Sequence, residues 1–242
     1  MAFDPQRTTM TRAEAARAEI DVGLRSYMLR VYNYMSLGVA FTGAIAMLVA
    51  SDAALVQGVA SMFWVFFIAI IGMGFLAPRL MMSKSVATAQ ICFWAYAAMW
   101  GAVLGPTVWY YGQIEPMMIA RAFFITAATF AGLSLFGYTT KKNLAPMGAF
   151  LVMATWGILI ALLVNVFLVQ SAGFELILSV IVVLVFSGLT AYETQMIKNM
   201  YYEADGHDIV TRKAIFGAFL LYGSFVTLFI WILNILGMMR GE

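Results

Sequence analysis

Seven runs of mostly apolar residues occupy about 31–51, 55–77, 86–109, 117–138, 144–169, 174–197 and 214–239. Each is long enough to cross a hydrocarbon core of about 30 Å as a helix. Hydrocarbon offers the backbone no water to bond, so such runs fold as membrane helices that satisfy their own amides. The links between them are short and hold turn-forming or charged residues: Ser51-Asp52, Pro78 to Ser85, Gly112 to Pro116, Thr139 to Asn143, Gln170 to Gly173 and Lys198 to Lys213. Links of this length make sequential helices antiparallel neighbours. Pro78 and Pro116 fall in links, Pro146 in a first turn and Pro106 near the end of the third run, where proline does least harm to a helix. Composition supports this reading: 63% of the 242 residues are hydrophobic and 11% charged, against about 25% charged in soluble domains. The expected fold is all-α and integral to the membrane. A seven-helix domain spans 31–239, preceded by a tail at 1–30.

The count has an independent check in Lys and Arg, which accumulate in cytoplasmic loops. With the N-terminus inside, twelve of the 14 basic residues fall on inner segments: Arg7, Arg12, Arg17, Arg25, Arg30, Arg79, Lys84, Lys141, Lys142, Lys198, Arg212 and Lys213. Only Arg121 and Arg240 fall outside. Adding or losing one span scrambles this alternation, so the expected topology has the N-terminus cytoplasmic and the C-terminus outside. The tail reads as retained rather than as a cleaved signal, because five arginines precede the first apolar run. Thr11 to Glu14 has the form of a capping box, and the helix formers up to Arg30 suggest a short juxtamembrane helix.

Charge inside hydrocarbon is costly, so each instance is a functional candidate. Arg121 and Glu175 lie within about a turn of the outer ends of their spans and can reach the interface. Glu193 lies deeper, a turn or more from the nearest link. Ser187, Thr190, Thr194 and Lys198 form a stripe at helical spacing with Glu193 at its edge, so the inner half of the sixth span has a polar face. Such a carboxyl suits proton exchange or cation contact; it can also reach the interface or pair with a nearby lysine. The seventh span carries Ser224, Thr227, Trp231 and Asn234 on one face, which favours the bundle interior, as packing or as the wall of a polar path. Gly101 with Gly105, and Gly72 with Gly74, read as close helix contacts.

Several chemistries fail on residue type. His207, the single histidine, lies in a polar loop, so Gly132-Leu133-Ser134 has no intramembrane base and no histidine-based zinc site forms. No Asp lies in a span, which excludes a paired-aspartate protease, and no interior lysine on the last helix is placed to carry retinal. Cys92 is alone and reads as packing. The chain is not expected to be an enzyme or to carry a cofactor.

Three blocks together resemble the Bax inhibitor (TMBIM, or LifeGuard) family in its bacterial branch. Val31-Tyr32-Asn33-Tyr34-Met35 opens the first span; Gly188 to Lys198, with Tyr192-Glu193-Thr194-Gln195, resembles a Tyr-Asp-x-Gln block; and Leu221 to Phe229 resembles Leu-Tyr-x-Asp-x-x-Asn-Leu-Phe. The resemblance covers 31–239. It implies six helices around a central seventh, location in the bacterial inner membrane, and a pH-sensitive passive leak with calcium as the transported ion. In such proteins an acid on the sixth helix and one on the seventh share a proton near the cytoplasmic mouth, and a basic residue ending the second helix latches the closed form. By position the first acid is Glu193 and the second falls on Ser224, so the like-charge coupling of two neighbouring carboxyls is absent here. The implied gating and ion-contact group is Glu193, Ser224, Thr190, Thr194 and Thr227, with Arg79 and Lys84 as latch candidates; any metal contact falls to Glu193. A reading of another class is a non-transporting regulator that binds a membrane partner such as an AAA protease, through the 1–30 tail.

Overall fold

The computed structural model describes residues 12–240, with side chains from residue 22. Its helices are α1 (Arg12–Ala50), α2 (Ala53–Ser61), α3 (Phe63–Ser83), α4 (Val86–Ile114), α5 (Pro116–Thr139), α6 (Ala145–Val164), α7 (Ala172–Asn199) and α8 (His207–Arg240). A π-helical segment, Asn165–Val169, continues α6. Seven stretches are long and apolar enough to cross a membrane, namely Val22–Ala50, α3, α4, α5, Ala145–Val169, α7 and α8. This is an all-α protein of seven candidate spans.

Local chemistry moves some boundaries. The juxtamembrane helix is the first part of α1, which runs unbroken from Arg12 into the membrane segment; Thr11, and with it the capping box, lies outside the described residues. The second apolar run, expected at 55–77, divides. Asp52 accepts a hydrogen bond from the Ala54 N–H at 2.7 Å and starts α2, while the Ser61 hydroxyl donates back to the Gly58 carbonyl at 2.7 Å just before Met62 interrupts the helix. α2 buries no residue. The second span is therefore α3, starting at Phe63 and ending at Ser83, and Pro78 lies inside it rather than in a link. Proline leaves the Gly74 carbonyl without its helical donor. The turns beyond it are held from outside: the Arg212 guanidinium on α8 donates to the carbonyls of Met82 (2.8 Å) and Lys84 (2.7 Å), a cation on the negative end of a helix.

α8 is the most enclosed helix, with 61% of its most apolar window buried against at most 39% in any other span. α1, α3, α4, α5 and α7 pack on it, whereas α6 packs on α7. The core that surrounds α8 includes Tyr27, Val31, Met81, Phe93, Ile197, Leu221, Tyr222 and Leu228.

Close approach of α1 and α4 depends on two small residues. A Cβ on Gly101 stands 2.9 Å from the Thr42 carbonyl oxygen, and one on Gly105 stands 2.4 Å from Val49 Cγ1. Gly72 and Gly74, expected to serve the same purpose, have nothing within 4 Å of an added Cβ; they face open space, where lipid needs no small residue. Gly105→Leu is accordingly expected to destabilise the bundle by about 1–3 kcal/mol, the usual cost of overpacking. Gly72→Leu is expected to be neutral or stabilising, since glycine is a poor helix former. Thermal midpoints of the detergent-solubilised variants test the contrast, and equal midpoints would contradict it.

Candidate functional site

α7 and α8 meet at one acid near the C-terminal end of α7. Glu193 is partly buried, and its Oε2 accepts a hydrogen bond from Ser224 Oγ at 2.7 Å. Ser224 itself is 2% exposed. Tyr96 of α4 brings a buried hydroxyl alongside, 3.9 Å from the position of a Cβ on Gly223. Among the described residues, no Lys or Arg forms an ion pair with Glu193. Ser224 thus supplies Glu193 with a neutral hydroxyl donor from α8.

The other hydroxyls expected around Glu193 turn elsewhere. Thr190 Oγ1 donates to the Phe186 carbonyl and Thr194 Oγ1 to the Thr190 carbonyl, both at 2.8 Å, and Thr227 Oγ1 donates to the Gly223 carbonyl at 2.9 Å. These are bonds within the threonines' own helices, which satisfy a hydroxyl without a second helix. Thr194 also joins Ser134 of α5 at 3.0 Å, and Ser134 joins Tyr32 of α1 at 2.6 Å. This hydroxyl chain links α7, α5 and α1 on a different side of α7 from Ser224.

The basic residues also stand apart from the acid. Arg79 is exposed on α3, and Lys84 is exposed at its C-cap. Arg212 ties this end of α3 to α8, a role that the charge count could not single out. Lys198 donates to the Tyr138 carbonyl at 2.8 Å, with its ammonium 5.0 Å from the centroid of that ring. It closes the C-terminal turn of α5 and is not the partner of Glu193. Gln195 clamps the α5–α6 link, accepting from the Leu144 N–H and donating to the Lys142 carbonyl, both at 2.8 Å.

A second polar junction of the same two helices lies at their opposite ends. Asn234 donates to Glu175 Oε1 at 3.0 Å and accepts from Ser179 Oγ at 3.1 Å. Glu175 read from sequence as an interfacial acid, yet it belongs to the α7–α8 contact; Asn234 on the polar stripe was the available signal. Glu115, at the N-cap of α5, bonds both Arg121, at 2.8 Å, and Arg240 at the end of α8. Between Ser224 and Asn234, the buried side chains of α8 are Phe225, Val226, Leu228, Ile232 and Leu233. The two polar junctions are thus separated by a tightly packed apolar segment.

Comparison with known proteins places this architecture. The family described as inhibitor of apoptosis-promoting Bax1 matches residues 24–241. The chain belongs to this family. An uncharacterized protein of Rickettsia prowazekii is 39% identical over 91% of the chain and 92% of its own length. One from Caulobacter vibrioides is 37% identical, with 93% of each chain covered. The inner membrane protein YbhL of Escherichia coli is 34% identical over 90% of this chain and 94% of its own. Bax1-inhibitor proteins are non-catalytic membrane proteins, and this member is accordingly not an enzyme.

The Glu193–Ser224 bond makes a stability prediction. Ser224→Ala leaves a partly buried carboxyl without its donor and is expected to cost about 1–3 kcal/mol, seen as a lower thermal midpoint in detergent, while Ser224→Thr retains most of the parent's stability. Equal midpoints for the alanine variant and the parent would show that the bond contributes nothing.

Proposed function

We propose that this Bax1-inhibitor protein is a pH-sensitive passive cation leak, gated by Glu193 at the inner end of the α7–α8 junction, with calcium as its cation. The observation that carries the proposal is the single carboxyl held by Ser224 inside a bundle where the threonines expected around it bond within their own helices. In this reading the apolar segment from Phe225 to Leu233 keeps the path closed. A change in the charge of Glu193 alters its bond to Ser224 and loosens α8. The latch is the inner end of α3, where Arg79 and Lys84 stand and Arg212 holds the last carbonyls.

One carboxylate with a few hydroxyls is a sparse site for calcium, which takes six to eight oxygens. It suits an ion that passes with part of its water shell rather than one that is stored. Thr190, Thr194 and Thr227 belong to the proposed path only if their hydroxyls exchange their intrahelical acceptors for the ion as α8 moves. The twelve-to-two division of basic residues supports a cytoplasmic N-terminus and an external C-terminus. An inner-membrane location accords with the name of the Escherichia coli relative.

The test is calcium flux by the purified protein in dye-loaded liposomes, scanned from about pH 5 to 8, the range over which a gating carboxyl must change charge to serve a cell. The parent is expected to leak in a pH-dependent manner, and Glu193→Gln to flatten that dependence. Ser224→Asp is expected to restore a like-charge pair and add a second titration step. A pH response that survives Glu193→Gln unchanged removes Glu193 from the gate.

A further inference from the structure

A long groove runs down the outside of the bundle between α1 and α5, two helices bridged there by the Tyr32–Ser134 hydrogen bond. Its volume is about 930 Å³, within the range of sites that hold small organic molecules. The walls are almost wholly apolar. Met28, Met35 and Val39 of α1 face Phe130 and Ala131 of α5, and Phe225 of α8 forms part of the floor. Of the hydroxyls in the walls, those of Tyr32 and Ser134 bond each other at 2.6 Å, and Ser36 and Tyr138 carry the others. The lining extends along α1 from Arg25 to Met47, a rise of about 33 Å at 1.5 Å per residue, which matches the depth of a bilayer core. A narrow apolar slot of this length, open sideways to lipid, fits a linear hydrocarbon chain.

The end of the slot at the start of α1 is different in kind. Arg25 belongs both to the groove and to an adjoining polar hollow of about 440 Å³, which adds Ser26, Arg30 and Asn33. Arg30 is oriented there by its bond to Thr211 Oγ1 of α8, at 3.1 Å. Among the described residues, no Asp or Glu lines either the groove or the hollow. Two guanidiniums with a hydroxyl and an amide, at the level where headgroups lie, make a site for phosphate rather than for a neutral headgroup.

We infer that the α1–α5 groove is a binding site for an anionic glycerophospholipid of the leaflet facing the N-terminal end of α1. One acyl chain lies in the part of the slot nearest Arg25, about one leaflet deep, and the phosphate rests on Arg25 and Arg30. The charge of the hollow selects the headgroup, and the apolar slot below it selects a lipid over a free anion. Because Phe225 follows Ser224 directly, the bound chain touches the face of α8 adjacent to the donor of Glu193.

Native mass spectrometry of the full chain in detergent tests this. The protein is titrated with dioleoyl phosphatidylglycerol, with dioleoyl phosphatidylcholine, and with inorganic phosphate as competitor. The parent is expected to retain one phosphatidylglycerol molecule with roughly tenfold preference over phosphatidylcholine, the scale of one charge-assisted contact, and phosphate in excess leaves the adduct in place. Arg25→Gln is expected to lose the preference but keep lipid binding. Ala131→Phe, which fills the slot from an exposed position, is expected to lose the adduct for both lipids while helical content and elution volume stay as in the parent. Ala40→Phe provides a second filling variant on the opposite wall should the first misfold. Equal retention of both lipids by the parent, displacement by phosphate alone, or an undiminished adduct in a folded filling variant would each overturn the assignment.

Discussion

A carboxyl inside a membrane bundle must find its partners within the protein, because neither lipid nor bulk water can supply them. Glu193 meets that requirement through one hydroxyl, Ser224 Oγ at 2.7 Å, and much of the surrounding architecture follows from keeping the two groups together. α8 carries the serine and is enclosed by α1, α3, α4, α5 and α7. α7 carries the acid and is pinned by separate contacts: Gln195 to the α5–α6 link, Lys198 to the last turn of α5, and Thr194 to Ser134. None of these contacts competes for the carboxyl. The C-terminal half of α7 is therefore held on several sides while its acid keeps a single donor from α8.

The two ends of the α7–α8 contact solve the same problem with different chemistry. At one end a serine donates to Glu193, and at the other an asparagine donates to Glu175 and accepts from Ser179. Hydrogen bonds in an apolar bundle are directional where side-chain packing is not, so they fix the register of two helices that could otherwise slide. The apolar segment between them then closes the space.

Much of this was legible from residues. The seven spans were visible because hydrocarbon demands long apolar runs. The interior face of α8 was visible because Ser224 and Asn234 share a helical stripe. What was not legible depended on partners far apart in sequence. The threonines on α7 look like ligands by spacing, but a helix carbonyl four residues back is the nearer acceptor and takes their hydrogen bonds. Arg79 and Lys84 stand where a basic latch is expected, yet the cation that reaches across the gap is Arg212, from a helix 128 residues later. Likewise the split of the second apolar run at Met62 turns on a serine hydroxyl and a glycine, which leave hydropathy unchanged.

α8 follows the other six spans in the chain, and this sets an order of events during synthesis. The six preceding spans leave the ribosome before the hub around which five of them pack exists. Until then Glu193 has no Ser224, Glu175 has no Asn234, and the end of α3 has no Arg212. The early bundle must tolerate an unpaired acid at each end of α7 and a gap along its axis. Arrival of α8 fills the gap and supplies both donors and the cation together, so a single helix brings every partner that these groups lack.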